Sequence, residues 1–83
     1  MQLLNVPAPE GVWAQVHDGS MIATIGISPG YAYVCQSATQ PAPGLIGFPL
    51  INREVEVISY VATVGDPVWV KALGYDLTAI INA

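Results

Sequence analysis

Apolar and polar positions along this chain come in short alternating runs, and Gly or Pro interrupts each run before it reaches helical length. Turn formers stand at Pro7, Pro9, Gly11, Gly19, Gly26, Pro29, Gly30, Pro41, Pro43, Gly44, Gly47, Pro49, Gly65, Pro67 and Gly74. Between them lie runs rich in Val, Ile, Tyr and Trp with no stripe of 3.6-residue period, which predicts strands. The first is Val12–His17 (VWAQVH), followed by Asp18-Gly19 and then Met21–Ile27 (MIATIGI). An Asp-Gly pair between two such runs predicts a type I′ hairpin, because both central residues need positive φ. Ser28-Pro29-Gly30 is a second turn, and Tyr31–Gln36 (YAYVCQ) completes an expected up-and-down meander.

The second half begins with Ser37–Gly44 (SATQPAPG), small, polar and proline-bearing, which reads as an extended loop. Leu45–Ile51 contains Gly47 and Pro49 and reads as a broken or edge strand, since Pro removes a ladder donor. Arg53–Thr63 (REVEVISYVAT) alternates most cleanly, with Val55, Val57 and Val61 opposite Glu54, Glu56, Ile58 and Tyr60. Its second face begins with glutamates and ends apolar, so the strand is expected to leave solvent and enter a contact partway along. Val64–Pro67 turns the chain, Val68–Leu73 follows, Gly74–Asp76 turns it again, and Leu77–Asn82 closes it. Six to seven short strands at such spacing predict an all-β fold: a small antiparallel β-sandwich, jelly roll or barrel. Residues 1–10, with two prolines, read as an extended N-terminal arm reaching a neighbour, and residues 11–83 as a single β domain.

Composition sharpens this reading. Only 10% of the 83 residues are charged and 53% are apolar, which argues against disorder. Arg53 and Lys71 are the only strong cations against six acids, for a net charge of −4, so no basic face is available for nucleic acid. No run of eighteen apolar residues suggests a membrane span. Scaling of surface with mass gives about 4,700 Å² exposed in the folded state and about 12,600 Å² in the unfolded chain. Burial at ~25 cal/mol/Å² then contributes about 120 kcal/mol, and ordering the chain costs about the same. Cys35 has no internal disulfide partner, and one His with one Cys cannot complete a zinc site. Association is the simplest remaining source of stability.

Candidate chemistry is sparse. His17, Asp18 and Ser20 are too close in one turn to converge as a triad, so His17 is expected to face solvent at a strand end. Glu54 and Glu56 mark a solvated strand face, Asp66 and Asp76 cap turns, and Cys35 is a small buried apolar residue. No catalytic residue, metal or cofactor is assigned, and the chain is read as a non-enzyme. The aromatic residues sit in or beside strands, where Trp13 and Trp69 could fill the core, anchor an interface or stack on a sugar.

The stretch Val64–Gly74 (VGDPVWVKALG), closed by Leu77–Ile81 (LTAII), resembles the last hairpin of small β-rich virion proteins of tailed bacteriophages: capsid decoration, head-fibre and tail accessory proteins. The resemblance implies a structural component of the virion, a homo-oligomer (a trimer) and other virion proteins as partners. The expected mechanism is burial of apolar strand faces between subunits, with the arm and the Ser37–Gly44 loop reaching neighbouring chains. Trp13, Leu45, Phe48, Leu50, Tyr60 and Trp69 are the expected interface residues. The alternative is a small carbohydrate- or receptor-binding module with exposed Trp and Tyr.

Overall fold

The computed structural model describes residues 3–83, and these residues form strands, turns and loops without a helix. The strands are β1 (Leu3–Ala8), β2 (Ala14–His17), β3 (Ala23–Ile27), β4 (Gly30–Gln36), β5 (Phe48–Arg53), β6 (Glu56–Ile58), β7 (Tyr60–Ala62), β8 (Val68–Leu73) and β9 (Leu77–Asn82). They build a four-stranded sheet in the order β1-β9-β3-β7 and a five-stranded sheet in the order β2-β8-β4-β5-β6. All these ladders are antiparallel, and both sheets keep open edges, so the expected barrel is not formed.

One rule accounts for most of the pairing. In four ladders the residue numbers of facing positions add to between 82 and 85: Leu3↔Asn82, Gln15↔Trp69, Ala23↔Ala62 and Tyr31↔Ile51. The chain is one long hairpin whose tip is the loop after Gln36, folded over so that β3 also pairs β9 and β4 also pairs β8. The expected meander is therefore wrong. Here β2 and β3 lie in different sheets, and the Asp18-Gly19 turn is a crossover between them. Gly19 has φ 80° and lies against the Gly65 and Asp66 backbone, where a Cβ would collide with both carbonyl oxygens. The Gly65 amide donates to the Gly19 carbonyl at 3.0 Å. Glycine serves the docking of two turns here rather than a local hairpin.

Three further expectations are corrected by the same pairing. The described part of the expected arm is not detached, because Leu3–Ala8 is a strand of the domain, paired with β9 along its whole length, while residues 1 and 2 lie outside the described residues. Arg53–Thr63 is not one strand. Glu54-Val55 turns β5 into β6, and after Ser59 the chain passes to the other sheet as β7. The segment resembling a closing hairpin is not one, since β8 and β9 belong to opposite sheets. Pro49 does stand in a strand with neighbours on both sides, but β6 covers only Ile51–Arg53 of β5. Opposite Pro49 that side of β5 is unpaired, so the missing donor costs nothing.

The core lies between the sheets and follows from period-two alternation. Ile25, Leu50, Ile81, Val34, Val68 and Val70 are its largest fully buried side chains, with Ala8, Ala23, Ala32, Ala62, Ala72 and Ala79 filling the narrow places. Polar side chains tie the two sheets together. Asn52 Nδ2 donates to the Ile27 carbonyl at 2.8 Å. Gln36 donates to the Thr63 and Asp66 carbonyls and accepts from the Tyr60 hydroxyl and the Thr63 amide. The accessible surface is 4678 Å², close to the scaling value for a monomer of this mass.

Candidate assembly surface

The expected interface residues do not share a surface. Leu50 is wholly buried in the core, and Trp13 is 3% exposed. Neither side chain can reach a second molecule, which corrects both assignments. Trp69 and Tyr60 are half-buried, while Phe48 and Leu45 are exposed. Phe48 and Tyr60 meet as tilted rings 5.5 Å apart, closing one side of the core between the sheets.

Part of the outer face of the five-stranded sheet, over β8 and the end of β4, is covered by the chain itself, while Tyr31, Pro49 and Arg53 on the same face stay exposed. Strand alternation puts Trp69 and Lys71 of β8 and Tyr33 and Cys35 of β4 on this face. The loop of residues 37–47 lies across it instead of reaching outward as expected. Trp69 Nε1 donates to the Ser37 carbonyl at 2.9 Å, and Trp13 Nε1 to the Ala42 carbonyl at 3.0 Å. Gln40 Nε2 donates to the Trp13 carbonyl at 2.9 Å. Lys71 Nζ donates to the Pro43 carbonyl at 2.7 Å and lies 5.2 Å from the Trp13 ring centroid and 5.8 Å from that of Tyr33. Only 8% of Lys71 is exposed, so its ammonium is held by one carbonyl and two aromatic faces rather than by water. A cleft of about 200 Å³ beside this loop is lined by Gly11, Val12, Trp13, Gln40, Pro41 and Pro43, with no ionisable group among them.

Asp76 Oδ1 accepts the Glu10 amide at 2.9 Å, and Arg53 Nη1 donates to the Tyr31 hydroxyl at 2.8 Å, while His17 and Asp18 bond within their own turn. His17 Nδ1 accepts the Gly19 amide at 3.2 Å, and its side chain is only 9% exposed, so it does not face solvent as expected. His17 Nδ1 also lies 3.9 Å from Asp18 Oδ1. The Ser20 hydroxyl and then the Ser20 amide, bonded at 2.9 Å, hold the Asp18 carboxyl below its ordinary value of 3.8. Burial pushes the Cys35 thiol up, which keeps it protonated and unreactive near neutral pH.

The outer face of the four-stranded sheet is bare, and it was not singled out from the sequence. Inward positions Ala23, Ile25, Ala62, Ala79 and Ile81 are buried, so the alternate positions face out. Register aligns them in rows: Leu3–Asn82–Thr24–Val61 across all four strands, then Asn5–Ile80–Gly26, then Pro7–Thr78. None of these side chains is ionisable. Leu3 and Val61 are 65% and 62% exposed. A side chain at Gly26 would meet only the Ile80 carbonyl oxygen, at 3.9 Å, so the middle of the face is shallow. All six acids lie elsewhere, in turns, connections or the β5–β6 hairpin. Period-two alternation in Leu77–Asn82 carried a trace of this face, but its four-strand extent depends on pairing between distant segments. Comparison against protein-family models, curated proteins and solved structures returned no match to this chain.

Proposed function

We propose that this chain is a structural subunit that works by assembling with copies of itself through the outer face of the four-stranded sheet. The observation that carries this reading is the absence of any ionisable side chain from that face, in a chain of net charge −4. Two copies that meet through this face bring no carboxylates together, so the contact adds no like-charge repulsion. A flat face of Leu, Ile, Val, Thr, Pro and Asn is self-compatible in the same way.

We read the two facing sheets as a β-sandwich of jelly-roll connectivity. With β6 taken as an extension of the β5 hairpin, the remaining eight strands form one folded hairpin whose successive strand pairs, β1/β9, β2/β8, β3/β7 and β4/β5, alternate between sheets. Viral capsid domains and lectins both use this architecture, so it is compatible with a particle component but does not select one. The setting in a tailed-bacteriophage virion, as a capsid decoration or tail or fibre accessory protein, rests on the resemblance of residues 64–81. The glycan-binding alternative draws less support, because Trp13 is sealed and the Trp69 indole N–H is engaged within the chain.

Light scattering across micromolar concentrations tests the reading. The expected mass is a multiple of 8.7 kDa. Thr24→Glu, at an exposed position in the row that spans all four strands, should lower that mass, and Thr24→Val should not. A wild-type mass that Thr24→Glu leaves unchanged would remove this face as the contact.

A further inference from the structure

We infer that two copies of this chain join edge to edge through β1, across a two-fold axis at Asn5, so that two four-stranded sheets become one continuous sheet. The inference rests on the reading of the chain as an assembly subunit and adds the geometry of one contact.

The four sheet edges differ. At one edge of the five-stranded sheet, β6 begins at Glu56 and follows Glu54 in its hairpin; at the other, β2 is bulged between Gln15 and His17. Both are devices that discourage strand addition. The remaining edge of the four-stranded sheet, β7, has only three residues. By contrast, β1 has six residues (LLNVPA), no charge and no bulge.

Its outward hydrogen-bonding groups follow from the register. The Ser28 amide donates to the Thr78 carbonyl, and the Thr78 amide donates to Ser28 Oγ, so the Thr78 backbone turns toward β3 and away from β1. In an antiparallel ladder, bonded and non-bonded pairs alternate. Pro7, which faces Thr78, is therefore in a non-bonded pair, as are Asn5 and Leu3. Leu3 and Asn5 turn their amides outward, and Leu3, Asn5 and Pro7 turn their carbonyls outward. The missing Pro7 donor belongs to the open side, where it costs the domain nothing.

This edge is complementary to itself except at Pro7, whose ring leaves the Leu3 carbonyl of the other copy without a donor. Centring a second, antiparallel β1 on Asn5 places the two Asn5 residues opposite each other, where they exchange both backbone bonds. Each Leu3 amide then donates to the Pro7 carbonyl of the other copy. Leu4, which is 41% exposed, comes opposite the half-buried Val6 of the second copy on the core side. No carboxylate lies at the seam. The axis stands normal to the sheet, so the uncharged outer faces of both copies merge into one. Such pairing is two-fold and gives dimers, in contrast to the trimer implied by the virion resemblance.

Site-specific cross-linking in full-length protein carrying Cys35→Ser tests this. Facing residues of a bonded antiparallel pair lie about 5.5 Å apart at Cα, inside the range a disulfide spans. Mild oxidation of Asn5→Cys should therefore convert most of the protein to a covalent dimer. Asn5→Pro removes both central donors without touching the β9 ladder, and should lower the mass of the non-covalent species and abolish the edge contact, with its circular dichroism unchanged. A wild-type oligomer that Asn5→Pro leaves intact, with cross-linking at Thr24→Cys and none at Asn5→Cys, would overturn the edge pairing and leave the face contact standing. Cross-linking at Asn5→Cys with the mass unmoved by Thr24→Glu would keep the edge and remove the face. A monomer at all concentrations with neither cross-link would end both.

Discussion

The outer faces of the two sheets have opposite solutions to the same problem. Both are made of strands whose inner sides fill one core, and each must leave an outward side with few charges to cover it. On the five-stranded sheet the chain supplies its own cover, the loop of residues 37–47, pinned by Trp13, Gln40, Trp69 and Lys71. On the four-stranded sheet nothing among the described residues lies over Leu3, Ile80, Thr24 and Val61. An aromatic residue is protected where cover exists, whereas the bare face carries no aromatic residue at all. The lesson is that the aromatic rings around Lys71 mark the region the chain seals for itself, and the face left bare is aliphatic, flat and uncharged.

This contrast can be broken most forcefully on the covered side. Trp13→Ala removes the ring beneath the loop and the anchor of the Ala42 carbonyl, and should cost about 3–5 kcal/mol. In a domain this small that loss approaches the whole stability, so chemical denaturation should find the variant largely unfolded. Lys71→Met keeps the stem but removes the bond to Pro43 and the charge over two rings. A loss of about 1 kcal/mol is expected, a fall of about 4–8 °C in melting temperature, with faster proteolysis confined to the loop. On the bare side Thr24→Glu should move stability by less than about 0.5 kcal/mol while changing assembly. A large stability loss there would show that the face is part of the fold rather than a contact.

The smallest effect lies in the turn between β2 and β3. The folded Asp18 carboxyl titrates below its ordinary value of 3.8. A depressed carboxylate contributes stability that is present above the unfolded value and disappears as pH falls through the folded one. Stability of the wild type should therefore decline below pH 3.8 slightly more than that of Asp18→Asn, as read by denaturation at matched ionic strength. Because Asp18 is fully exposed, the difference should be slight, and equal acid slopes would remove Ser20 as its cause.

Much of the architecture was legible in local pattern. Val68–Leu73 and Leu77–Asn82 have the bounds that alternation and the Gly74-Tyr75-Asp76 turn predict, and the all-β class follows from Gly and Pro spacing. The candidate surface was far less legible. Leu50 alternates like any strand residue and gave no sign that its neighbour across the core is another sheet. Trp13 looked like a contact because its cover comes from residues some thirty positions away. Gln36, which joins β4 to the segment from Tyr60 to Asp66, is unremarkable in sequence, since its partners are backbone groups and a hydroxyl far along the chain.

Where each strand starts and stops is decided within a few residues, because proline and glycine act on the dihedral angles of their own position. Which strands meet, and therefore which side chains share a face, was decided only when the chain doubled back about the loop after Gln36. A ladder joins residues as far apart as Leu3 and Asn82, and no local preference can encode a choice that depends on closing so long a loop against one shared core.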